Sequence, residues 1–188
     1  MKQAGPLKAI EVYTNPENKW VILFHDFGAN AQDLASLSDA VVTKKECNWL
    51  FPNGPLQVQI GPGFMGSAWW NIRLSDLTGD WALHRPEGMN ASIDKVMKMI
   101  AGMKVPWSDI ILGGFSQGAM LATEVFLKAP EMPAGLISLS GTLISENEWK
   151  LEAPKRKGSK VLITHGQSDG VLPLKGSARL QSFLESFE

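Results

Sequence analysis

Ile110-Ile111-Leu112-Gly113-Gly114-Phe115-Ser116-Gln117-Gly118-Ala119-Met120-Leu121 places G-x-S-x-G at positions 114 to 118. An apolar, β-branched run leads into the serine, and a helix-compatible segment, Ala119 to Lys128, follows it. The pattern carries chemistry only where a strand turns sharply into a helix at the serine. In that geometry the hydroxyl stands clear of the sheet, and the flanking glycines leave room for neighbouring backbone. Amides at the helix start then point at the site and can stabilise an oxyanion. Ser116 is the expected nucleophile and the amide of Gln117 one expected oxyanion donor.

Working outward, short apolar runs alternate with amphipathic segments, which predicts an α/β domain with a mostly parallel central sheet. Ala9-Ile10-Glu11-Val12-Tyr13 is expected as an edge strand, and Trp20-Val21-Ile22-Leu23-Phe24 as a strand buried on both faces. Asn30 can cap a helix reaching about Val42, with Leu34, Leu37 and Val41 on one face. Trp49-Leu50-Phe51 is the next strand, stopped by Pro52-Asn53-Gly54-Pro55. Positions 58 to 88 show no clean period, and a long irregular segment in a compact domain is usually functional. Trp69, Trp70 and Trp81 lie in it and suggest a pocket wall. A helix is expected from about Asn90 to Met103, strands at Leu136–Leu139 and Val161–Thr164, and a last helix from about Ser177 to Phe187.

The chain has 188 residues and no break in composition, so a single domain spanning 1–188 is expected. Its net charge of −1 offers nothing to a nucleic acid or an anionic surface. Lys155-Arg156-Lys157, between Pro154 and Gly158, is expected to be a solvated loop. No run reaches the ~18 apolar residues of a membrane span, and the polar start does not resemble a secretory signal. With a single cysteine, Cys47, expected as a buried thiol, the reading is cytoplasmic. No metal motif appears, and no cofactor is expected. Gly61-Pro62-Gly63-Phe64-Met65-Gly66 spells a dinucleotide fingerprint, but Pro62 and the following tryptophans place it outside a strand-to-helix turn. Asn90-Ala91-Ser92 matches a glycosylation acceptor by chance.

A second oxyanion donor is expected from the loop after an earlier strand, a position that Phe24-His25-Asp26-Phe27-Gly28-Ala29-Asn30 fills. His25 there is expected to order the loop rather than to act. Asp169, in the loop after Val161–Thr164, follows the serine in the order Ser…Asp…His and is the expected acid.

Six pieces in order resemble the carboxylesterase/phospholipase family of α/β hydrolases, which includes acyl-protein thioesterases and lysophospholipases. They are His25–Asn30, Trp49–Pro55, Ala68-Trp69-Trp70, Arg85-Pro86-Glu87-Gly88, Gly113–Ala119 and His165-Gly166-Gln167-Ser168-Asp169. The resemblance implies the α/β-hydrolase fold with helices on both sheet faces. It also implies Ser116 as nucleophile, Asp169 as acid, and main-chain oxyanion donors at Phe27 and Gln117. Trp69, Trp70, Val171 and Leu172 would lie near an acyl pocket, and the substrate would be a small ester, a lysophospholipid or an acylated protein.

Two departures stand out. Asp26 replaces the glycine that the family carries after its first histidine, which would shift the oxyanion loop. All three histidines, His25, His84 and His165, precede Asp169. His165 is expected to be structural and His84 to line the mouth. The expectation is that one further βα unit of ~30 residues, carrying the base, is missing at the C-terminus. A non-catalytic acyl-binding protein is the rival reading; a dienelactone-hydrolase-like enzyme would need cysteine at position 116. Exposed tryptophans would equally mark a homodimer contact.

Overall fold

The structure, a computed structural model, describes residues 1–72 and 80–187. Nine strands alternate with helices: β1 (Lys2–Ala4), β2 (Leu7–Val12), β3 (Trp20–Phe24), α1 (Ala31–Ala35), α2 (Leu37–Ala40), β4 (Asn48–Pro52), β5 (Leu56–Gly61) and β6 (Phe64–Ala68). Then follow α3 (Met89–Met103), β7 (Ile110–Phe115), α4 (Gln117–Lys128), β8 (Gly135–Leu139), α5 (Glu146–Glu152), β9 (Val161–Thr164) and α6 (Leu174–Glu185). Seven strands form one sheet in the order β1-β2-β4-β3-β7-β8-β9. The pairs from β4 to β9 are parallel, and β1 and β2 add antiparallel. β7, which ends at Ser116, is the fourth of the seven. The expected edge strand at Ala9–Tyr13 is therefore not the edge, because β1 folds back outside it.

Strand parity divides the core in two. Trp20, Ile22 and Phe24 point to the face covered by α3, α4 and α6, with Ile93, Val96, Met120, Leu121, Val125, Leu180 and Phe183. Val21 and Leu23 point to the other face, where Ala31 and Leu34 pack with Trp49 and Phe51. This two-residue alternation is what a doubly covered parallel strand requires. Helix α3 buries Met89, Ser92, Ile93, Val96, Met99 and Ile100, the spacing of a single helical stripe. It holds the glycosylation-like triplet with Ser92 inside the core.

On the second face the cover stops short. Register places Ile137, Leu139 and Leu162 on that side of β8 and β9, with Phe115 beside Leu139. None of the four joins either core, and Phe115 and Leu162 are 39% and 53% exposed. The outer edge of β9 has no strand partner among the described residues.

Several expectations need correction. The helix after Asn30 is two short pieces, because Ser38 Oγ takes the Ala35 carbonyl at 2.8 Å and Val41 turns extended. Val41 is exposed rather than on the buried stripe. The irregular segment after position 55 begins with the β5–β6 hairpin, whose turn uses the glycines of the dinucleotide-like motif. Cys47 is only half-buried. None of the seven tryptophans is exposed, which removes the expected basis for a dimer contact. No helix among the described residues is long and apolar enough to cross a membrane.

Arg156 overturns the solvated-loop expectation. It is 7% exposed and donates to the carbonyls of Phe126 (2.9 Å), Leu127 (3.0 Å) and Ala129. Those carbonyls end α4, where the helix itself has no donors left. The Arg156→Ala protein is expected to lose about 2–3 kcal/mol in denaturant unfolding, as these acceptors stay buried without their charged donor. A loss below about 0.5 kcal/mol, the usual range for a surface change, would show that Arg156 does not cap α4.

Candidate active site

The centre of the site is a backbone constraint. Ser116 sits at φ 53° and ψ −114°, between the end of β7 and the first turn of α4. Positive φ is uncommon for a residue with a Cβ and is held only where the surroundings over-determine it. Here the amide of Ser116 is tied to the Leu139 carbonyl at 2.9 Å, and its carbonyl accepts from Ala119 and Met120. The glycines explain how the turn closes. A Cβ at Gly114 would lie 2.2 Å from the Gly118 carbonyl carbon, and one at Gly118 would lie 2.1 Å from the Phe24 oxygen. The elbow thus packs backbone on backbone, and no side chain fits at either position. Ser116 Oγ makes no hydrogen bond among the described residues.

Two amides are the expected oxyanion donors. Gln117 N–H opens α4, and Phe27 N–H lies in the loop after β3; neither has an acceptor among the described residues. The loop is clamped from the hairpin side, since Gly28 N donates to Ser67 O and Ser67 N to Ala29 O, both at 2.8 Å. His25 anchors its start and is fully buried. Its Nδ1 meets the Asp26 carbonyl at 2.7 Å, while Nε2 accepts from Gly54 N at 2.8 Å. This fixes a neutral ring with the proton on Nδ1. The carbonyl of Asp26 also receives Ala29 N, so the residue that departs from the family pattern holds the loop through its main chain.

A small apolar cavity of about 30 Å³ adjoins Ser116, walled by Trp70, Ile72, Trp81, Met120, Val171 and Leu172. Three of the four residues expected there, Trp70, Val171 and Leu172, line it, whereas Trp69 turns away. Its indole donates to the His25 carbonyl at 2.9 Å and packs edge-on to Phe24. Trp81 takes its place in the pocket wall that the irregular segment suggested, while Ile72 and Met120 were missed. Met120 follows from α4 geometry, one turn beyond Ser116. A larger concavity of about 390 Å³, between β9, Arg156 and the end of α6, shares no lining residue with this one.

Asp169 lies in the turn that supplies Val171 and Leu172 to the cavity. Its Oδ1 accepts from Leu172 N and Val171 N, both at 2.9 Å. These two amides, Leu172 first, hold the carboxyl below its ordinary value of 3.8. Oδ2 is 3.5 Å from His165 Nε2, but that nitrogen is closer to the Leu172 carbonyl, at 2.6 Å. His165 Nδ1 meets Ser177 Oγ, which donates to Gly141 O at 2.7 Å. His165 therefore binds α6 to the loop and is structural. His84 closes the short 3-10 turn at Trp81–Leu83 and is edge-on to Trp81.

Behind the elbow, Glu124 is a fully buried carboxylate on α4. Burial pushes its carboxyl up, yet Arg85, Lys128 and the Trp149 indole together bring it below its ordinary value. Arg85 Nη2 lies 2.9 Å and Lys128 Nζ 2.8 Å from Oε1. No cluster of metal-ligating side chains occurs among the described residues.

Comparison with known proteins agrees with this architecture. The family model for phospholipase/carboxylesterase matches residues 6–188. The chain is 26% identical over 197 residues to acyl-protein thioesterase 1 of Kluyveromyces lactis, covering 97% of this chain and 84% of that protein. It is 29% identical over 175 residues to acyl-protein thioesterase 1 of Mycosarcoma maydis, covering 86% and 72%. Among solved structures, esterase PE8 superposes with a TM-score of 0.78 at 25% identity, covering 96% of this chain and 84% of that one. The fold of Zea mays acyl-protein thioesterase 2 matches with a TM-score of 0.74 at 23% identity, over 95% and 84%.

Two outcomes follow from this geometry. Gly118→Ala is expected to fold poorly or to lose at least about 1–3 kcal/mol, since its methyl meets fixed backbone rather than a movable side chain. Unchanged stability by denaturant unfolding would mean that the elbow has slack. The second concerns His25, whose burial lowers its affinity for a proton below the ordinary 6.5 despite the bond to Asp26. The unfolded chain then takes up the proton first, so stability is full above pH 6.5 and declines as pH falls toward the folded value. Asp26, raised above 3.8 by burial, has the opposite sign and is common to both proteins compared. Between about pH 7.5 and pH 5.5 the Tm of wild type should fall more steeply than that of His25→Gln; parallel curves would remove His25 as the source.

Proposed function

The chain belongs to the phospholipase/carboxylesterase family of α/β hydrolases, and from that membership we propose a mechanism and a substrate class. It is a serine hydrolase of carboxylic ester or thioester bonds. The observation that carries the mechanism is Ser116 itself: a hydroxyl on a strained elbow at the start of α4, with no hydrogen bond among the described residues. Ser116 Oγ attacks the acyl carbonyl, and its proton passes to an imidazole. The carbonyl oxygen, now negative, rests between the amides of Phe27 and Gln117. Collapse expels the alcohol or thiol, which takes the proton from the imidazolium, and leaves an acyl-serine. Water, deprotonated by the same imidazole, then releases the carboxylic acid and restores Ser116.

Asp169 is the acid that orients the imidazole, held ionised by the amides of Leu172 and Val171. The imidazole is neither His25 nor His165, because both use their ring nitrogens in structural bonds. We propose that a further βα unit, outside these 188 residues, brings it to Asp169. What supports this is the bare apolar side of β8 and β9, the open edge of β9, and the greater length of the relatives. The acyl group belongs in the apolar cavity at Trp70, Met120 and Leu172. Thioesters of acylated proteins are the favoured substrates, on the strength of the thioesterase relatives and a cavity whose described lining carries no charge. The half-buried lone Cys47 fits a cytoplasmic setting.

Chemical rescue tests the scheme. Imidazole added to the chain should accelerate fluorophosphonate labelling and turnover of an activated thioester. Ser116→Ala should abolish both, in line with the loss on the order of 10⁶ seen when a triad nucleophile is removed. Asp169→Asn should slow turnover in the longer protein that holds its own histidine, and His84→Ala should leave the rescued rate unchanged. Labelling that persists in Ser116→Ala would sink the assignment of the nucleophile, and activity without imidazole that His84→Ala removes and imidazole restores would make His84 the base.

A further inference from the structure

We infer that the side chain of Gln117 is a positioning residue that holds the acyl-cavity wall and the oxyanion hole in one register. The inference rests on the roles proposed above for Ser116 and the two amides. The first side chain of a helix commonly faces solvent, but that of Gln117 is 1% exposed. Its Oε1 accepts from Trp69 N at 3.0 Å, and its Nε2 donates to Trp70 O at 2.9 Å. One planar amide thus bridges the main chain on both sides of the Trp69–Trp70 peptide. Only an amide offers an acceptor and a donor from one head; a carboxylate offers acceptors alone, and a thioether neither in useful strength.

The bridge is one link in a buried series. Trp69 is also fixed by its indole bond to the His25 carbonyl and by Ser92 Oγ, which donates to the Trp69 carbonyl. His25 in turn accepts from Gly54. The series runs from Gly54 through His25 and Trp69 to Gln117, so it joins the loop that bears the Phe27 amide to the helix that bears the Gln117 amide. At its other end Trp70 walls the cavity beside Ser116. Loss of the bridge leaves a buried peptide N–H and C=O without these partners, which is costly enough to move the segment. Such a movement displaces Trp70 from the acyl chain and one oxyanion donor from the other. Acyl-length preference and oxyanion stabilisation are therefore set together by one side chain.

The test uses alkyl fluorophosphonates with a short and a long chain, in imidazole buffer, with Ser116 labelling rates normalised to the folded fraction. Gln117→Met keeps the length of the side chain and removes both bonds. It should slow labelling about 10- to 100-fold, as a misplaced catalytic donor does, and change the long-to-short ratio at least about threefold. Gln117→Glu keeps the acceptor for Trp69 and regains a donor for Trp70 only when protonated, a form that burial favours. Its rate relative to wild type should rise as the pH is lowered from about 8 to about 6. This second variant decides the matter if Gln117→Met does not fold. Equal rates and an unchanged ratio in Gln117→Met would overturn the inference. So would an equal slowing of both chain lengths with a flat pH ratio in Gln117→Glu, the pattern of a merely structural residue. Wild-type protein that imidazole cannot make reactive would overturn the nucleophile assignment, and this inference with it.

Discussion

Everything in this fold defers to the contact between the backbone of β3 and the backbone of α4. Gly118 lies so close to the Phe24 and His25 carbonyls that a methyl group there would overlap the strand end. That approach lets α4 start directly behind β7, and it forces the single residue between them, Ser116, to positive φ. A strain of this kind costs on the order of 1–3 kcal/mol and must be held from outside. The holders are visible: the Leu139 carbonyl on the Ser116 amide, two first-turn amides on the Ser116 carbonyl, and a helix buried along almost all of its length. β7 stands in the middle of the sheet, where both neighbours fix it, which is the place best able to bear a strained end.

The parts of the site that the sequence made legible are those that local rules enforce. Glycines at 114 and 118 around a serine, after a β-branched run, admit few geometries, so the elbow and β7 were readable from residues alone. Trp20–Phe24 was readable because an unbroken apolar run of five has no polar face to offer water. The roles proposed for the loop after β3 and for Asp169 rest on the order of the elements and of the triad as well. What escaped was set by tertiary contacts. In β5 a single side chain, Val58, is buried between exposed glutamines, so its period was too short to detect. Arg156 was hidden because nothing in a run of three basic residues tells which one meets the carbonyls of a distant helix. Trp69 and Trp70 looked alike in sequence, but alternation sends one to brace the loop and the other to the cavity.

The three histidines illustrate why residue type is a poor guide to role. Two of them spend no proton on chemistry: His25 accepts an amide from one loop and donates to its own, and His165 joins a helix to the turn of Asp169. Both are pivots that fix loops carrying functional groups, which places them near the site without being part of the reaction. Asp169 shows the converse. It is partly exposed and sits in an ordinary turn, yet the amides that form the turn also keep it charged, so the local structure itself supplies the property the mechanism needs.

Charge behind the elbow completes the electrostatic logic. The positive end of α4 faces the place proposed for an oxyanion, and its effect depends on nothing nearby cancelling it. Glu124 lies seven residues along the helix from Gln117, about 10 Å at the helical rise, and is fully buried, where screening by water is weak. Alone, a carboxylate there would oppose the helix end and raise the cost of a negative charge at Ser116. Arg85 and Lys128 both lie within 3 Å of its oxygens, so two cations meet one anion. Lys128 in the last turn complements the negative end of the same helix, and Arg85 fastens it to the segment that follows Trp81 and walls the cavity. The buried charge therefore ties cavity wall to nucleophile helix without weakening the field at the oxyanion, something an apolar residue at 124 would not do and an unpaired carboxylate would undo.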